Sequence, residues 1–378
     1  MFRRCKMVLG VLCLVFSGAG LASAASLYTV TQLPPLPGDT EIYASYVNDS
    51  GQVVGWSYNS ALNRSVPTIW ENGQVTALPF LAGSTSGGAR CINSLGTVVG
   101  DMNGGAFIWD PVNGTRPLGA VPGYGYHCPT GINNGGQAVG FAQGSLPYNG
   151  VAWIWDATNG LRSIGTPPGD FGSQADGIND IGQVVGASYI SSSPSWPYHA
   201  FLWDSTNGFQ ILPILSGYSN TIATTINDSG EIVGRADAPT SQEHAVIWDS
   251  SGMHDLGTFG GSYSIANGIN ASGQIVGGAD TSTRAEHAFL YSGVVMQDLN
   301  SLIPLNSGWI LDGATGINDS GQICGNGTNP SGQIDAFLLT PTPIPEPSTL
   351  FLFGIGALSL MAYAWRRRLL CGRIHPER

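Results

Sequence analysis

Apolar positions along the chain alternate with small or polar ones in short runs, separated by Gly, Asn and Asp. The clearest run reads Gln-Val-Val-Gly and follows an Ile-Asn-x-x-Gly segment; such β-branched runs are typical of strands. The Asn-x-x-Gly segment predicts a tight hairpin, because Asn opens turns and Gly adopts the positive φ that closes a bulged loop. No 3.6-residue apolar period occurs between these runs, so the body is predicted to be all-β.

This unit recurs seven times along the chain, with its Asn at positions 48, 93, 133, 179, 227, 270 and 318. A second block follows each copy, as in His199-Ala-Phe-Leu-Trp-Asp204, and then a third block of alternating apolar residues. Four strands and two tight turns in about 45 residues are typical of a propeller blade. We therefore predict a seven-bladed β-propeller over residues 25–340; an open β-solenoid is the alternative, although its rungs are usually shorter.

The two ends of the repeat region are incomplete and complementary. The segment Tyr28–Leu33 matches the strand that follows a Trp-Asp hairpin, and Asp335–Thr340 matches the strand that precedes one. We expect these two segments to pair antiparallel and complete one blade together, which would close the ring and leave no free inner edge.

Residues 1–24 have the three-part build of a secretory signal peptide. Arg3, Arg4 and Lys6 precede an apolar run from residue 7 to residue 16, and a small-residue site follows. Cleavage is predicted between Ala24 and Ala25, with Ala22 as the other small residue of the site. An N-terminal membrane anchor is the alternative, but the apolar run is short for one.

The other end of the chain has three elements in order. A Pro-rich linker, residues 341–348, contains Pro345-Glu346-Pro347, and residues 349–365 carry no charge, which predicts a transmembrane helix about 26 Å long. A basic tail, residues 366–378, begins with Arg366-Arg367-Arg368 and is predicted to be cytoplasmic, so that the body faces outward.

These C-terminal elements resemble the PEP-CTERM sorting signal of Gram-negative bacteria that make exopolysaccharide. The resemblance implies an exosortase-type sorting enzyme as partner, cleavage near Pro345–Pro347, and a body that is periplasmic and inner-membrane-anchored before processing, then at the cell surface or extracellular. A simple membrane anchor is the alternative. The His-Ala-Phe blocks at His199 and His287 resemble the extracellular HAF repeat family. This resemblance implies an extracellular location and a repeat architecture, but no particular activity.

Charge limits the partners of the body. The chain has a net charge of −11, but between residues 25 and 344 it has six arginines, no lysine and 23 acidic residues, a net charge of −17. An acidic body repels phosphate backbones, so nucleic acid is not expected as a partner. With 10% charged residues and 54 Gly, the composition also argues against a coiled coil or helical bundle.

Residues with possible metal or redox chemistry each have a simpler interpretation. Cys91 and Cys128 precede the Ile-Asn turns of neighbouring units, so the sequence allows a disulfide between them after export. His199, His244 and His287 share one repeat position in different units, too far apart for one zinc ion, and are interpreted as strand-start residues with local hydrogen bonds. The Asp residues of the Asn-Asp-x-Gly loops are interpreted as turn formers. No metal or cofactor is predicted.

No nucleophile elbow, phosphate-binding loop or zinc signature occurs in the sequence, and no catalytic residue is assigned. The tryptophans at 70, 109, 155, 203 and 248 recur in register and are predicted to pack between blades. Non-repeating aromatic residues, which we place in loops, are the better ligand candidates: Tyr124, Tyr126, Trp196, Tyr198, Tyr218 and Trp309.

Two functions remain open from the sequence. The first is a surface-sorted, non-catalytic protein that binds or builds an extracellular matrix, with extracellular polysaccharide as a candidate partner. The second is an extracellular glycan-active enzyme on a propeller scaffold. The regularity of the units favours the first.

Overall fold

The computed structural model describes residues 27–144, 150–190, 197–239, 242–293, 295–343 and 360–364. Apart from a 3₁₀ turn at Leu299–Ser301 and a helical turn at 360–364, the regular structure of these residues consists of 28 β-strands. The predicted all-β class is therefore confirmed.

The strands form seven four-stranded antiparallel sheets, which we call blades 1 to 7. Blade 1 contains β2 (Glu41–Val47), β3 (Val53–Asn59), β4 (Arg64–Glu71) and β5 (Gln74–Ala77). Blade 2 contains β6 (Gly87–Ile92), β7 (Val98–Met102), β8 (Gly105–Asp110) and β9 (Gly114–Pro117). Blade 3 contains β10 (Tyr126–Ile132), β11 (Ala138–Gln143), β12 (Val151–Asp156) and β13 (Gly160–Gly165). Blade 4 contains β14 (Gly172–Ile178), β15 (Val184–Tyr189), β16 (Tyr198–Asp204) and β17 (Gly208–Ile211).

Blade 5 contains β18 (Ser219–Ile226), β19 (Ile232–Ala238), β20 (Gln242–Asp249) and β21 (Gly252–Gly257). Blade 6 contains β22 (Gly260–Ile269), β23 (Ile275–Thr281), β24 (Glu286–Tyr291) and β25 (Met296–Asp298). Blade 7 contains β26 (Ile310–Ile317), β27 (Ile323–Thr328), β28 (Ile334–Pro341) and β1 (Tyr28–Gln32). A single parallel bridge, between Glu243 and Tyr263, links the sheets of blades 5 and 6.

Blade 7 is built from both ends of the described body. Strand β1 pairs antiparallel with β28, from Tyr28 opposite Pro341 to Gln32 opposite Phe337. The backbone N–H of Leu33 extends this pairing by donating to the carbonyl of Ala336 (3.1 Å). The predicted pairing of the two terminal segments is thus confirmed, and it closes the ring of blades.

The repeated Asn-x-x-Gly segments form identical five-residue hairpin turns. In blade 1 the N–H of Asn48 donates to the carbonyl of Gln52 (3.0 Å), and Gly51 has φ +77°, the left-handed conformation that favours glycine. The second repeated glycine has a different role. A Cβ at Gly55 would lie 1.8 Å from the carbonyl oxygen of Tyr43, so only glycine allows the two inner strands to approach at the bulge.

Apolar side chains fill the spaces between neighbouring blades. Phe107, Phe201, Phe289 and Phe337 occupy one repeat position and are fully buried. Trp70 and Trp248 are buried, and each donates its indole N–H to a proline carbonyl, that of Pro34 or Pro213 (2.7 Å in both). The remaining repeat tryptophans, at 109, 155 and 203, are partly buried, and each packs against a core cluster of its own. The predicted packing role of these tryptophans is confirmed.

The two ends of the ring differ in construction. The turn face carries the seven Asn-x-x-Gly turns between the first and second strands and the hairpins between the third and fourth. The loop face carries the connections between the second and third strands and those that enter the next blade. The turns on the turn face are nearly identical, whereas the connections on the loop face vary in length. The surface of the loop face therefore differs more from blade to blade.

The Cys91–Cys128 disulfide that the sequence allows is not formed in the structure, where Cys91, Cys128 and Cys324 are free and buried. The register explains this. Cys91 pairs with Val99 near the end of β6, whereas Cys128 pairs with Phe141 near the start of β10, so the two occupy different levels of neighbouring inner strands. Burial raises the pKa of the Cys91 and Cys128 thiols to about 11 and that of Cys324 to about 12.

We expect non-reducing peptide mapping to recover Cys91 and Cys128 in two separate alkylated peptides, because buried thiols with raised pKa values and different heights in the sheet do not oxidise to a pair. The protein is denatured in alkylating reagent before digestion, so that buried thiols are trapped. A Cys91–Cys128 linked peptide would contradict the register of β6 and β10.

Several predicted features lie outside the described residues. These are the signal peptide with Ala22, Ala24 and Ala25, the motif Pro345-Glu346-Pro347, the cluster Arg366-Arg367-Arg368, and Trp196. In the part of the chain that the structure describes, no helix has the length and apolar character needed to cross a membrane.

Candidate functional site

At the turn face, the seven repeat asparagines form a closed ring of hydrogen bonds around the axis. Each side-chain Nδ2 donates to the backbone carbonyl of the equivalent Asn in the next blade, at 2.8–3.2 Å, and Asn318 donates back to Asn48. All seven are buried. The ring borders an axial cavity of about 130 Å³. Asn at this position therefore joins blades as well as forming turns.

The residues that follow these asparagines form a second, exposed set of links. The backbone N–H in one blade donates to the side chain in the next, as from Asp319 to Asp49 (3.0 Å), from Asp180 to Asp228 (2.8 Å) and from Asn134 to Asp180 (2.7 Å). The interpretation of these Asp residues as turn formers is therefore wrong in detail: the Asn makes the turn, and the Asp side chain clamps the neighbouring blade.

A polar belt lines the channel three residues before each ring asparagine. Its side chains again bridge blades: Thr130 donates to the carbonyl of Ala175 (2.8 Å), Thr224 to Ala266 (2.6 Å) and Asn267 to Ala314 (2.9 Å). The full belt consists of Ser45, Arg90, Thr130, Asp176, Thr224, Asn267 and Thr315, and it borders a cavity of about 150 Å³.

Asp176 is the unusual member of the belt. Burial raises its pKa to about 7, against the opposing influence of the Gln174 amide, which donates to both carboxylate oxygens (3.1 and 3.2 Å), and of Arg235. Its carboxylate has protein on most sides but borders the channel, so solvent reaches part of the side chain. A group that titrates near neutral pH in a channel is a candidate for proton chemistry or for pH sensing.

A cleft with mixed aromatic and polar walls lies on the loop face between blades 1 and 2, and we call it the Trp56 cleft. Its volume is about 540 Å³. Trp56 and Tyr43 are cross-strand neighbours with stacked rings, 5.2 Å between centroids and 20° between planes. Gly88 makes room for the indole, because a Cβ there would lie 3.2 Å from the Trp56 ring. The lining residues are Trp56, Ser65, Ser86, Gly87, Gly88, Arg90, Asp101, Asn103 and Gly104.

Charge in the Trp56 cleft is paired. The Arg90 guanidinium lies 5.4 Å from the centroid of the Trp56 ring, and its Nε bonds Asp101 Oδ1 at 2.9 Å. Burial acts to lower the pKa of Arg90, but Asp101 and other neighbours outweigh it and raise that pKa. The cleft thus presents an aromatic ring beside a fixed ion pair with donors and acceptors for hydroxyl groups.

The predicted aromatic ligand residues that the structure describes all lie toward the loop face, but in different blades. Tyr126 and Tyr198 are the first residues of β10 and β16, not loop residues as predicted. Tyr124, Tyr218 and Trp309 lie on connections and pack against core clusters. The Tyr218 hydroxyl donates to Asp255 (2.5 Å), and burial together with this contact raises its pKa to about 12. These residues do not converge on one platform.

The histidines of the shared repeat position make local contacts. Nδ1 of His244 bonds Asp255 (2.8 Å) and Nδ1 of His287 bonds Asp298 (2.7 Å), in each case on the outer strand of the same blade. The predicted local role of these two histidines is confirmed. Among the described residues, no group of three or more His, Cys, Asp or Glu side chains is arranged to hold a metal ion.

Sequence reasoning did not single out the residues of the Trp56 cleft. The signal that could have found them is the variability of the position after the second glycine, where every copy has a different residue. Trp56 occupies it in blade 1, whereas the other copies have the residues Asp101, Phe141, Ala187, Arg235, Gly278 and Asn326.

Comparison with known proteins gives a fold and a sorting signal. Residues 343–368 match the PEP-CTERM protein-sorting motif, and residues 214–335 match a family described as protein of unknown function (DUF3466). No curated protein matches the sequence significantly.

Solved structures with this fold are β-propellers of low sequence identity. Virginiamycin B lyase from Staphylococcus aureus is 11% identical, with a TM-score of 0.52 over 83% of this chain and 100% of that chain. The β-propeller domain of the Trilobed protease from Pyrococcus furiosus, described as having an open velcro topology, is 10% identical, with a TM-score of 0.54 over 80% of this chain and 94% of that one. Such identities support the fold alone.

The fold and the matches define a β-propeller with a C-terminal PEP-CTERM sorting motif. The motif is a recognition signal for an exosortase, and it implies that the protein is exported and held at the membrane by its C-terminal signal before processing.

Proposed function

We propose that the mature protein is a non-catalytic, saccharide-binding component of the extracellular polysaccharide matrix, with the Trp56 cleft as its binding site. The observation that supports this proposal is the combination of a partly exposed indole and a fixed Arg90–Asp101 pair in one open cleft. The part of the indole that Tyr43 and Arg90 leave exposed offers apolar contact to the C–H groups of a sugar, and the ion pair offers directional partners to its hydroxyls.

The net charge of the body narrows the ligand. With −17 over residues 25–344, the protein repels polyanionic chains at moderate ionic strength. Arg90 is already neutralised by Asp101 and is not available as an unpaired cation for a carboxylate or sulfate. A neutral polysaccharide is therefore the proposed ligand class.

We expect Trp56→Ala to weaken binding of a neutral polysaccharide from the matrix of the producing bacterium by about 30-fold or more, because a central aromatic contact is lost. The measurement is a glycan array followed by titration calorimetry with the best ligand. Phe171→Ala is the control, because Phe171 is an exposed aromatic residue just before β14 on the loop face and does not line the Trp56 cleft. Equal affinity of wild type and the Trp56→Ala variant would refute the cleft as the site.

A glycan-active enzyme is the second candidate, and Asp176 is the observation that favours it. A carboxyl group with a pKa of about 7 suits general acid catalysis at neutral pH. A glycosidase needs a second carboxylate near the first, but the described groups that influence Asp176 are Gln174 and Arg235. Product analysis of bound polysaccharide distinguishes the candidates: retained ligand without fragments supports binding, and released oligosaccharide supports catalysis.

A further inference from the structure

Both ends of the described body leave the ring at the same point of the turn face. Tyr28 pairs with Pro341, and the N–H of Thr342 donates to the carbonyl of Leu27 (2.9 Å). Pro341 also lies beside the Asn-x-x-Gly turn of blade 7, since a Cβ at Gly321 would be 3.4 Å from its ring. The exit point is therefore held by a strand pair and is part of the closed ring.

The sorting motif begins immediately beyond this exit point. It starts at residue 343, one residue after Thr342. The uncharged segment starts at Thr349, and seven residues span at most about 25 Å even when fully extended. Strand β28 is eight residues long, about 26 Å, and runs from the loop face to the turn face. The loop face thus lies about 26 Å from the exit point, measured along β28.

We infer that in the unprocessed precursor the turn face of the propeller is directed toward the membrane and the loop face, with the Trp56 cleft, away from it. This inference rests on the anchored sorting signal and the closed ring, and not on the proposed ligand. Acidic residues occur on both faces, as with Asp228 and Asp312, so repulsion from an anionic bilayer holds the body off the surface without selecting a face. The tether pulls at the exit point, so the face that carries this point stays nearest the bilayer while repulsion pushes the rest of the body away.

The orientation has a functional consequence for processing. An exosortase that acts near Pro345–Pro347 works within a few residues of the β1–β28 pair. The part of the propeller that lies next to the enzyme is therefore the turn-face end of blade 7. The varied loops remain open to the surroundings while the protein is still anchored.

The test measures how close each face lies to the bilayer. Full-length precursor, with Cys5, Cys13 and Cys371 replaced by Ser and with the body outside the vesicle, is reconstituted into liposomes that contain headgroup-nitroxide lipid. A fluorophore is placed on single cysteines at exposed apolar positions: Val112→Cys and Ile181→Cys on the turn face, and Leu305→Cys on the loop face. The native cysteines of the body are buried and label slowly.

We expect the labels at 112 and 181 to be quenched about twofold or more strongly than the label at 305, because the faces are separated by about the length of a strand. Val112 lies in blade 2, Ile181 in blade 4 and Leu305 between blades 6 and 7. Strong quenching at 305 and weak quenching at 181 would mean that the blade 7 edge lies on the bilayer, and equal quenching at all three would mean free rotation; either result overturns the inference.

Two controls separate this result from other effects. Vesicles without nitroxide lipid give the unquenched reference for each label. The Trp56→Ala variant is expected to show the same quenching pattern as wild type, so a failure of saccharide binding and a failure of the orientation are distinguishable.

Discussion

Asn48→Ala is expected to lower the free energy of unfolding by about 3–4 kcal/mol, the largest single effect that we predict. The buried amide of Asn48 donates to Asn93 O (2.9 Å) and Gln52 Oε1 (2.8 Å) and accepts from the N–H groups of Ser50 (3.1 Å) and Gln52 (2.9 Å). Truncation removes all four bonds and leaves buried backbone groups short of partners. It also opens the Asn ring between blades 1 and 2.

Chemical denaturation monitored by tryptophan fluorescence measures this change. Asn113→Ala is the matched control, because Asn113 is exposed and its side chain bonds only Asp110 within its own hairpin. The control is expected to cost less than about 1 kcal/mol. Similar losses in the two variants would mean that the ring contributes no more than an ordinary turn.

Asp176→Asn is expected to stabilise the protein by about 2 kcal/mol at pH 8 and to leave it unchanged near pH 4. Burial raises the folded-state pKa of Asp176 to about 7, whereas an unfolded aspartate titrates near 3.9. Between these values the folded state binds more protons than the unfolded state, so the free energy of unfolding falls as the pH rises and is level above about 7. The figure of 2 kcal/mol allows for the partial access of solvent from the channel.

The asparagine variant has a precedent within the chain. Asn267 holds the same belt position in blade 6 and donates to the carbonyl of Ala314 in blade 7 at 2.9 Å. Asn at position 176 can donate in the same way toward blade 5, which an ionised Asp cannot do. The amide therefore removes the buried charge and adds a bond between blades.

Urea denaturation of both proteins from pH 4 to pH 8 checks this prediction through the difference between them, which cancels the other titrating groups. Asp204→Asn is the control: Asp204 is a partly exposed hairpin residue whose pKa is lowered by hydrogen bonds from Asn207, so its replacement is expected to bring no gain above pH 7. A pH-independent difference for Asp176→Asn would show that the carboxyl group titrates normally in the folded state.

The repeat predicted the strands and the turns because both depend on neighbours in the sequence. Gly51 at φ +77° and the pairing of the segments Tyr28–Leu33 and Asp335–Thr340 follow from local turn chemistry and from matching incomplete units. The ring bond from Asn318 to Asn48 joins residues 270 positions apart. Its partner is a backbone carbonyl that carries no residue-specific signal, so Asn at this position is explained as a turn former until the blades are placed side by side.

The Trp56 cleft illustrates the same limit. Trp56 and Arg90 belong to different units, and both lie at positions that vary from unit to unit. Only the packing of blade 1 on blade 2, with Gly88 leaving space for the indole, brings the guanidinium within 5.4 Å of the ring centroid. Cys91 and Cys128 show the opposite case. Their positions in neighbouring units look similar in the sequence, but the strand register places them at different heights in the sheet.

By itself the sequence determined the all-β class, the seven units, the hairpins, the closing of the ring by its two ends and the sorting signal that runs from Pro345-Glu346-Pro347 to Arg366-Arg367-Arg368. These follow from short-range physics: period-two burial, the φ preference of glycine and the order of terminal segments. The tertiary structure alone decided which polar groups meet, namely the asparagine ring, the belt around Asp176 and the Trp56 cleft. Those contacts depend on the register between blades, which is set by side-chain packing across the ring and has no counterpart in the local sequence pattern.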